Sequence, residues 1–317
     1  MFEAIGFTLL GLLFLALGGD SLVKGAAGLG NHLRIPRFAL GLGLVAVATS
    51  LPELAVNARA VAAGDRALAL GNAVGSNIAN IGLTLGVAAL AAPLVLGWRV
   101  LKPLLAVLLL ATVGVVVLSL DGGLSRIEGV ALLLVFVAVV AFTALRASDE
   151  SPQVREEIDA FTATRGGLAQ NLVRVALAVV LLWFGAGWVV AHIPAIGHAL
   201  GMDSLVAGLV LVAIGTALPE AAAAIAAARR GQGDIVAGHV VGSSLFNLLV
   251  VLGGMAAIGG HVPVPASFVR LELPVAFLFA LLLVPVLRGN TTVSRGEGGL
   301  LLVAFAAWVV LEFALLG

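Results

Sequence analysis

The chain alternates long apolar runs with short breaks that hold most of its charges, and nearly every run is long enough to cross a bilayer. A helix needs about 20 predominantly apolar residues to span about 30 Å of hydrocarbon, and inside that layer each backbone group must be paired within the protein. The runs therefore predict transmembrane helices. Breaking the chain at charged turns that contain glycine or proline gives ten spans, at about 4–30, 38–63, 68–91, 100–119, 126–146, 168–196, 204–229, 234–258, 268–287 and 297–315. The start, MFEAIGFTLLGLLFLALGG, lacks a basic n-region and runs on as an apolar stretch, so it reads as the first span rather than as a cleaved signal.

The one sizeable polar stretch is Ala147 to Gly167, which holds Asp149, Glu150, Glu156, Glu157 and Asp159 among arginines. It reads as a solvated cytoplasmic linker, 147–167, between a first half at 1–146 and a second at 168–317, too short for a soluble regulatory domain. Hydrophobic residues make up 61% of the 317 and charged ones 11%, a balance that a water-soluble fold could not hide in its interior. Net charge is zero and no basic tract stands out, which gives no support to nucleic-acid binding. The absence of cysteine removes disulfide, thiolate-metal and iron–sulfur chemistry.

With ten spans the loops alternate sides. Arg34, Arg37, Arg99, Lys102, Arg146, Arg155, Arg165, Arg174, Arg229, Arg230, Arg288 and Arg295 fall on one side, and Arg59, Arg66, Arg126 and Arg270 on the other. Positive charge is retained in the cytoplasm, so the richer side is predicted inside, with both termini facing outward in a multi-pass cell membrane protein.

Two segments repeat. VAVATSLPELAVNARA and GNAVGSNIANIG in the second and third spans return as LVAIGTALPEAAAAIAA and GHVVGSSLFNLL in the seventh and eighth. Thr49 aligns with Thr216, Pro52 with Pro219, Glu53 with Glu220, Gly75 with Gly242, Ser76 with Ser243 and Asn80 with Asn247, always 167 residues apart. A unit of five spans is odd, so the second copy enters the membrane from the opposite face and the repeats are predicted to be inverted. Glu53 and Glu220, each in mid-span, can then meet near the midplane.

A carboxylate at the centre of a bilayer costs on the order of 2.5–3.5 kcal/mol and is tolerated where a cation, a proton or a partner group compensates it. Lys24 lies one turn from Asp20, and those two are expected to satisfy each other. Pro52 and Pro219 each precede a glutamate; a proline removes a helical donor and turns the carbonyl four residues earlier out of its ladder, which frees oxygens near Ala48, Thr49, Ala213 and Thr216. Oxygens from Glu, Thr, Ser, Asn and the backbone suit Ca²⁺ or Na⁺, whereas Zn²⁺ more often recruits His or Cys. Small residues and oxygen donors accompany the glutamates in GSN and GSS: Ser76, Asn77, Asn80, Ser243, Ser244 and Asn247. His239 aligns with Asn72 and reads as a packing or supporting residue.

These motifs resemble the paired alpha repeats of the cation/calcium exchanger superfamily, in its prokaryotic sodium/calcium exchanger branch. ATSLPEL and GNAVGSNIAN match the family pattern nearly in full, and GTALPEA with GHVVGSSLFN matches with gaps. The resemblance implies an all-α integral membrane protein of ten transmembrane helices in two inverted five-helix repeats, exchanging Ca²⁺ for Na⁺ by alternating access. It implies that Glu53 and Glu220 hold Ca²⁺ with backbone oxygens of Thr49 and Thr216. Ser50, Ser76, Asn80, Ser243 and Asn247 would flank the Na⁺ positions, and the first and sixth helices would slide across the bundle.

The departures bear on the counter-ion. Ala217 stands opposite Ser50, Ser244 opposite Asn77 and His239 opposite Asn72, which leaves H⁺ coupling open beside Na⁺. Asn247 matches Asn80, so an acid found in potassium-dependent relatives is absent, as is the G-N-A-x-E signature of the proton/calcium branch. Inorganic cations and lipid are the expected partners, with no cofactor, protein partner or enzyme activity; a passive cation channel is the alternative of another class. No Ser–His pair or HExxH supports an intramembrane enzyme.

Overall fold

The computed structural model describes residues 1–33, 50–97, 99, 101–146, 152–163, 166–287 and 291–315. Eight helices among them are long and apolar enough to cross a membrane. They are α1 (Phe2–His32), α3 (Arg66–Ala91), α4 (Leu101–Leu118), α5 (Arg126–Leu145), α7 (Leu168–Ala199), α8 (Ser204–Arg229), α9 (Gly233–Gly259) and α13 (Arg295–Ala314). The second predicted span survives as α2 (Leu51–Ala62), its first half lying outside the described residues. The ninth is broken into α10 (Ala266–Arg270), α11 (Glu272–Leu281) and α12 (Val284–Leu287). Leu271 leaves helical geometry at φ −122° and ψ −65°, and Pro285, which has no N–H and crowds the carbonyl of Leu281, prevents α11 from running on.

The apolar surface explains where these helices live. Leu9, Leu13, Leu134, Val137, Trp183, Phe184, Val303 and Val310 are all exposed, an exterior that only lipid would cover. The two helices that carry the GSN and GSS motifs are instead central: 83% of the apolar window of α3 and 94% of that of α9 is buried, against 11% for α5.

Packing between the halves follows the sequence correspondence. Gly86 of α3 lies against Gly298 of α13, and Gly253 of α9, 167 residues after Gly86, lies against Gly129 of α5. Two short antiparallel pairs repeat the pattern: β1 (Leu94–Val95) pairs with β4 (Thr292–Val293), and β2 (Gly123–Leu124) pairs with β3 (Val262–Pro263). Exchanging the halves converts each pair into the other. Ser125 caps α5 in a box with Glu128, and Ser294 caps α13 in a box with Glu297, here 169 residues apart. The shift from 167 to 169 means that two residues are inserted between Leu252 and Thr292, the stretch in which the ninth span is broken.

Helices α1 and α7 run antiparallel along their length. Gly11 faces Gly185, Gly18 faces Leu182 and Gly25 faces Val175, and Phe7 and Phe14 pack on Trp188 with ring centroids 5.8 and 5.0 Å apart. In contrast α3 and α8 are parallel: Gly71 meets Leu205, Gly75 meets Leu209, and Gly208 meets Leu68 and Asn72 backbone to backbone. Glycine is required at these crossings because the neighbour is main chain, which cannot move aside as a side chain can.

The linker is polar in composition, yet Pro152–Thr162 forms a helix, α6, that buries Val154 and Ile158 one turn apart. Its seat is the start of α9, where Asp234 accepts the Gly97 N–H at 2.9 Å. Burial and the neighbouring Asp234 carboxylate push the Glu157 carboxyl up to about 7, against a hydrogen bond from the Ile235 backbone that favours ionisation.

Two outcomes follow. Gly75→Ala and Gly208→Ala lower the melting temperature of the detergent-solubilised protein, by overpacking worth about 1–3 kcal/mol, whereas Gly114→Ala, with open space around it, does not. Equal melting of all three would refute the close crossing. For Glu157 the docked state raises the carboxyl's pKa, so docking is unpenalised at low pH and weakens as pH rises through about 7. Amide exchange in 152–162, corrected for intrinsic rate, is then faster at about pH 8 than at about pH 6, and Glu157→Gln removes the difference.

Candidate ion-binding site

The predicted site residues come from four helices. Ser50 is the N-cap of α2, with Pro52 and Glu53 in its first turn. Thr216, Ala217, Pro219 and Glu220 lie along α8. Asn72, Ser76, Asn77 and Asn80 sit on α3, and His239, Ser243, Ser244 and Asn247 on α9. Thr49 lies outside the described residues. Glu53 is 1% exposed and the Glu220 side chain 9%, and the two carboxylates lie within electrostatic reach of each other.

The neutral donors knit the halves together. Ser50 Oγ donates to Ser243 Oγ at 2.6 Å, and Asn80 Nδ2 donates to the same oxygen at 3.0 Å. Asn77 Nδ2 donates to the Ser244 carbonyl at 3.2 Å, and Asn247 Nδ2 to Asn77 Oδ1 at 3.3 Å. On the other side Asn72 Nδ2 donates to Asn57 Oδ1 at 3.1 Å and accepts from Ser76 Oγ at 3.3 Å. Ser76 thus turns to its own helix, where Ser243 reaches across to Ser50; the asymmetry matches the loss of a hydroxyl at Ala217. Thr216 Oγ1 donates back to the carbonyls of Val212 and Ala213, at 3.2 and 3.3 Å. Outside this cluster Lys24 Nζ pairs with Asp20 at 2.6 Å, as its spacing predicts.

What the cluster leaves unpaired decides its chemistry. Glu53 Oε2, both carboxylate oxygens of Glu220, Asn247 Oδ1 and Ser244 Oγ are buried without a hydrogen-bond partner. Buried polar atoms are rarely left so, because each forfeits its hydration with nothing in return. Asn57 Nδ2 and both His239 ring nitrogens are unpaired as well, but most of the orphans are acceptors and they include two carboxylates, a set whose charge and lone pairs a cation would satisfy. Mixed carboxylate, amide and hydroxyl oxygens fit a hard ion, and among the described residues no three His, Cys, Asp or Glu converge on one point.

A cavity of about 520 Å³ leads to the cluster. Thr216, Glu220 and His239 line its inner end beside Pro52, and Arg230 and Gln232, in the turn between α8 and α9, line it at the other. Asp20 and Val23 of α1 form part of one wall. The cavity therefore approaches Glu220 from the side on which α6 is seated.

Sequence reasoning missed three features here. Wide π-helical turns open α3 at Asn80–Leu85 and α9 at Asn247–Leu252, positions 167 apart that each begin on a site asparagine; a third opens α8 at Ala207–Val212. Such turns release backbone groups from the regular ladder and recur at functional sites. The SRIEG and SRGEG starts of α5 and α13 carried the 169-residue offset in plain view. Ala224 occupies the position equivalent to Asn57, so His239 has no amide partner of the kind that Asn72 has.

A family model described as sodium/calcium exchanger protein matches residues 3–145 and 171–314. The chain is 35% identical to the inner membrane protein YrbG of Escherichia coli (strain K12), over 99% of this chain and 98% of that one. It is 29% identical to the sodium/calcium exchanger MaX1 of Methanosarcina acetivorans, over 96% and 97%. Among solved structures it is similar to the sodium-calcium exchanger NCX_Mj soaked with 2.5 mM Na⁺ and 10 mM Sr²⁺, with TM-score 0.68, 29% identity and 98% of each chain covered.

Proposed function

This chain belongs to the sodium/calcium exchanger family, and from that premise we propose that it exports Ca²⁺ in exchange for Na⁺ by alternating access around Glu53 and Glu220. Family membership makes it a membrane transporter rather than an enzyme or a channel. The observation that carries the finer reading is the set of orphaned buried oxygens on Glu53, Glu220 and Asn247, gathered where two halves of one repeat meet. Two carboxylates supply a charge of minus two, which one Ca²⁺ balances.

In this reading the chain is ten spans in two inverted five-helix repeats, joined by the cytoplasmic linker, with both termini outside. The exchangeable pairs β1–β4 and β2–β3, the matched glycine crossings and the paired capping boxes all support the repeat. Ca²⁺ sits between Glu53 and Glu220 with backbone oxygens of Thr49 and Thr216. Ser50, Ser76, Asn80, Ser243 and Asn247 shape the flanking Na⁺ positions. The cavity that ends at Arg230 and Gln232 opens to the cytoplasm in this topology, so the conformation is inward-facing, and movement of the α1–α7 pair over the α2 and α8 prolines would close it.

H⁺ as counter-ion is the second reading, favoured by Ala217, which removes one hydroxyl from a Na⁺ position. In proteoliposomes, Ca²⁺ uptake depends on an opposing Na⁺ gradient; uptake indifferent to Na⁺ but driven by a pH step would overturn Na⁺ coupling. Glu53→Gln and Glu220→Gln each reduce Ca²⁺ transport by about 100-fold or more, since each removes half of the charge that the ion sees, while the protein stays folded by melting analysis. Normal transport in either variant would sink the site assignment. Ala217→Ser, which restores the hydroxyl, increases the Na⁺ dependence of uptake, and an unchanged dependence would mean that no ligand was lost there.

A further inference from the structure

His239 is placed unlike its counterpart. Asn72 is tied into its half by Asn57 and Ser76, but at the position equivalent to Asn57 the second half has Ala224, which offers no hydrogen bond. The imidazole instead lines the cavity beside Glu220, with its side chain 10% exposed and its Nε2 3.3 Å from Glu220 Oε2. That approach lacks hydrogen-bond alignment, and both ring nitrogens are buried without a partner. A histidine that only filled space would be expected to find one.

Two donor atoms 3.3 Å apart are spaced to chelate one ion. At metal–ligand distances of about 2.1 Å they subtend about 100° at the metal, between octahedral and tetrahedral angles. Imidazole nitrogen suits Mn²⁺, Co²⁺ and Zn²⁺ better than it suits Ca²⁺, which prefers an all-oxygen shell. We propose that His239 is a nitrogen ligand at the Glu220 end of the transport site, and that it admits borderline divalent cations such as Mn²⁺, Co²⁺ and Zn²⁺ alongside Ca²⁺. The proposal rests on reading Glu220 as an ion ligand. It makes the pseudo-symmetric site chemically lopsided, with oxygen donors around Glu53 and a mixed nitrogen and oxygen pair at Glu220.

The test is Co²⁺ titration of the full-length protein in detergent, followed by visible absorption, together with Mn²⁺ competition against Ca²⁺ uptake in proteoliposomes. His239→Asn, which installs the residue of the first half, weakens Co²⁺ binding and the ability of Mn²⁺ to compete, each by about tenfold or more. His239→Gln carries the same expectation should the first variant fold poorly. Co²⁺ affinity and Mn²⁺ competition that match the unsubstituted protein would overturn the proposal. Its fate separates from that of the transport reading: absent Ca²⁺ uptake with Co²⁺ binding that still depends on His239 would refute exchange and support the ligand, whereas Na⁺-driven Ca²⁺ uptake with His239-independent ion preference would do the reverse.

Discussion

Two carboxylates buried close together in an apolar bundle are the constraint that orders the rest of this molecule. Each repels the other, and each loses hydration that no lysine or arginine of the cluster restores; Glu53 Oε2 and both Glu220 oxygens have no hydrogen-bond partner at all. An arrangement of that kind is stable when something cationic enters it. The surrounding architecture holds the two charges in position: parallel α3 and α8 locked backbone to backbone at Gly71, Gly75 and Gly208, and a lattice of Ser and Asn bonds that joins α3 to α9. Rigidity at the crossing holds in place carboxylates that the protein itself leaves unpaired. On the proposed reading, a site that must release its ion cannot satisfy itself.

The halves are alike in fold and unlike in chemistry. Around Glu53 the amides and hydroxyls bond one another, with Ser50 reaching Ser243 and Asn72 held by Asn57. Around Glu220 a serine has become alanine, an asparagine alanine and another asparagine histidine, and the cavity opens on this poorer side. Fewer internal bonds mean fewer competitors for an incoming ion. The segment between the halves adds a further element at the same end, since α6 packs on the start of α9, the helix that presents His239.

Much of this was legible in the sequence. The apolar runs identified the eight helices that are long and apolar enough to cross a membrane among the described residues, because length and hydropathy suffice where every backbone bond is internal, and the 167-residue offset aligned Asn77 with Ser244, which meet in a hydrogen bond. The π turns at Asn80 and Asn247 were not legible, since widening a helix by one residue leaves no compositional mark. The breaks in the ninth span depend on Leu271 and Pro285 acting in a stretch whose apolar composition reads as continuous. The seat of α6 escaped notice because two apolar residues, Val154 and Ile158, are outweighed in composition by the charges around them. The turning of His239 depended on Ala224, fifteen residues away, and only three-dimensional pairing joins the two substitutions.

The most direct measurement is anomalous scattering from crystals of the protein soaked with Sr²⁺ as a Ca²⁺ surrogate. The account predicts one strong peak between the carboxylates of Glu53 and Glu220, reduced when Na⁺ replaces Sr²⁺. A cation bound elsewhere, with the two glutamates still unoccupied at saturating Sr²⁺, would contradict it.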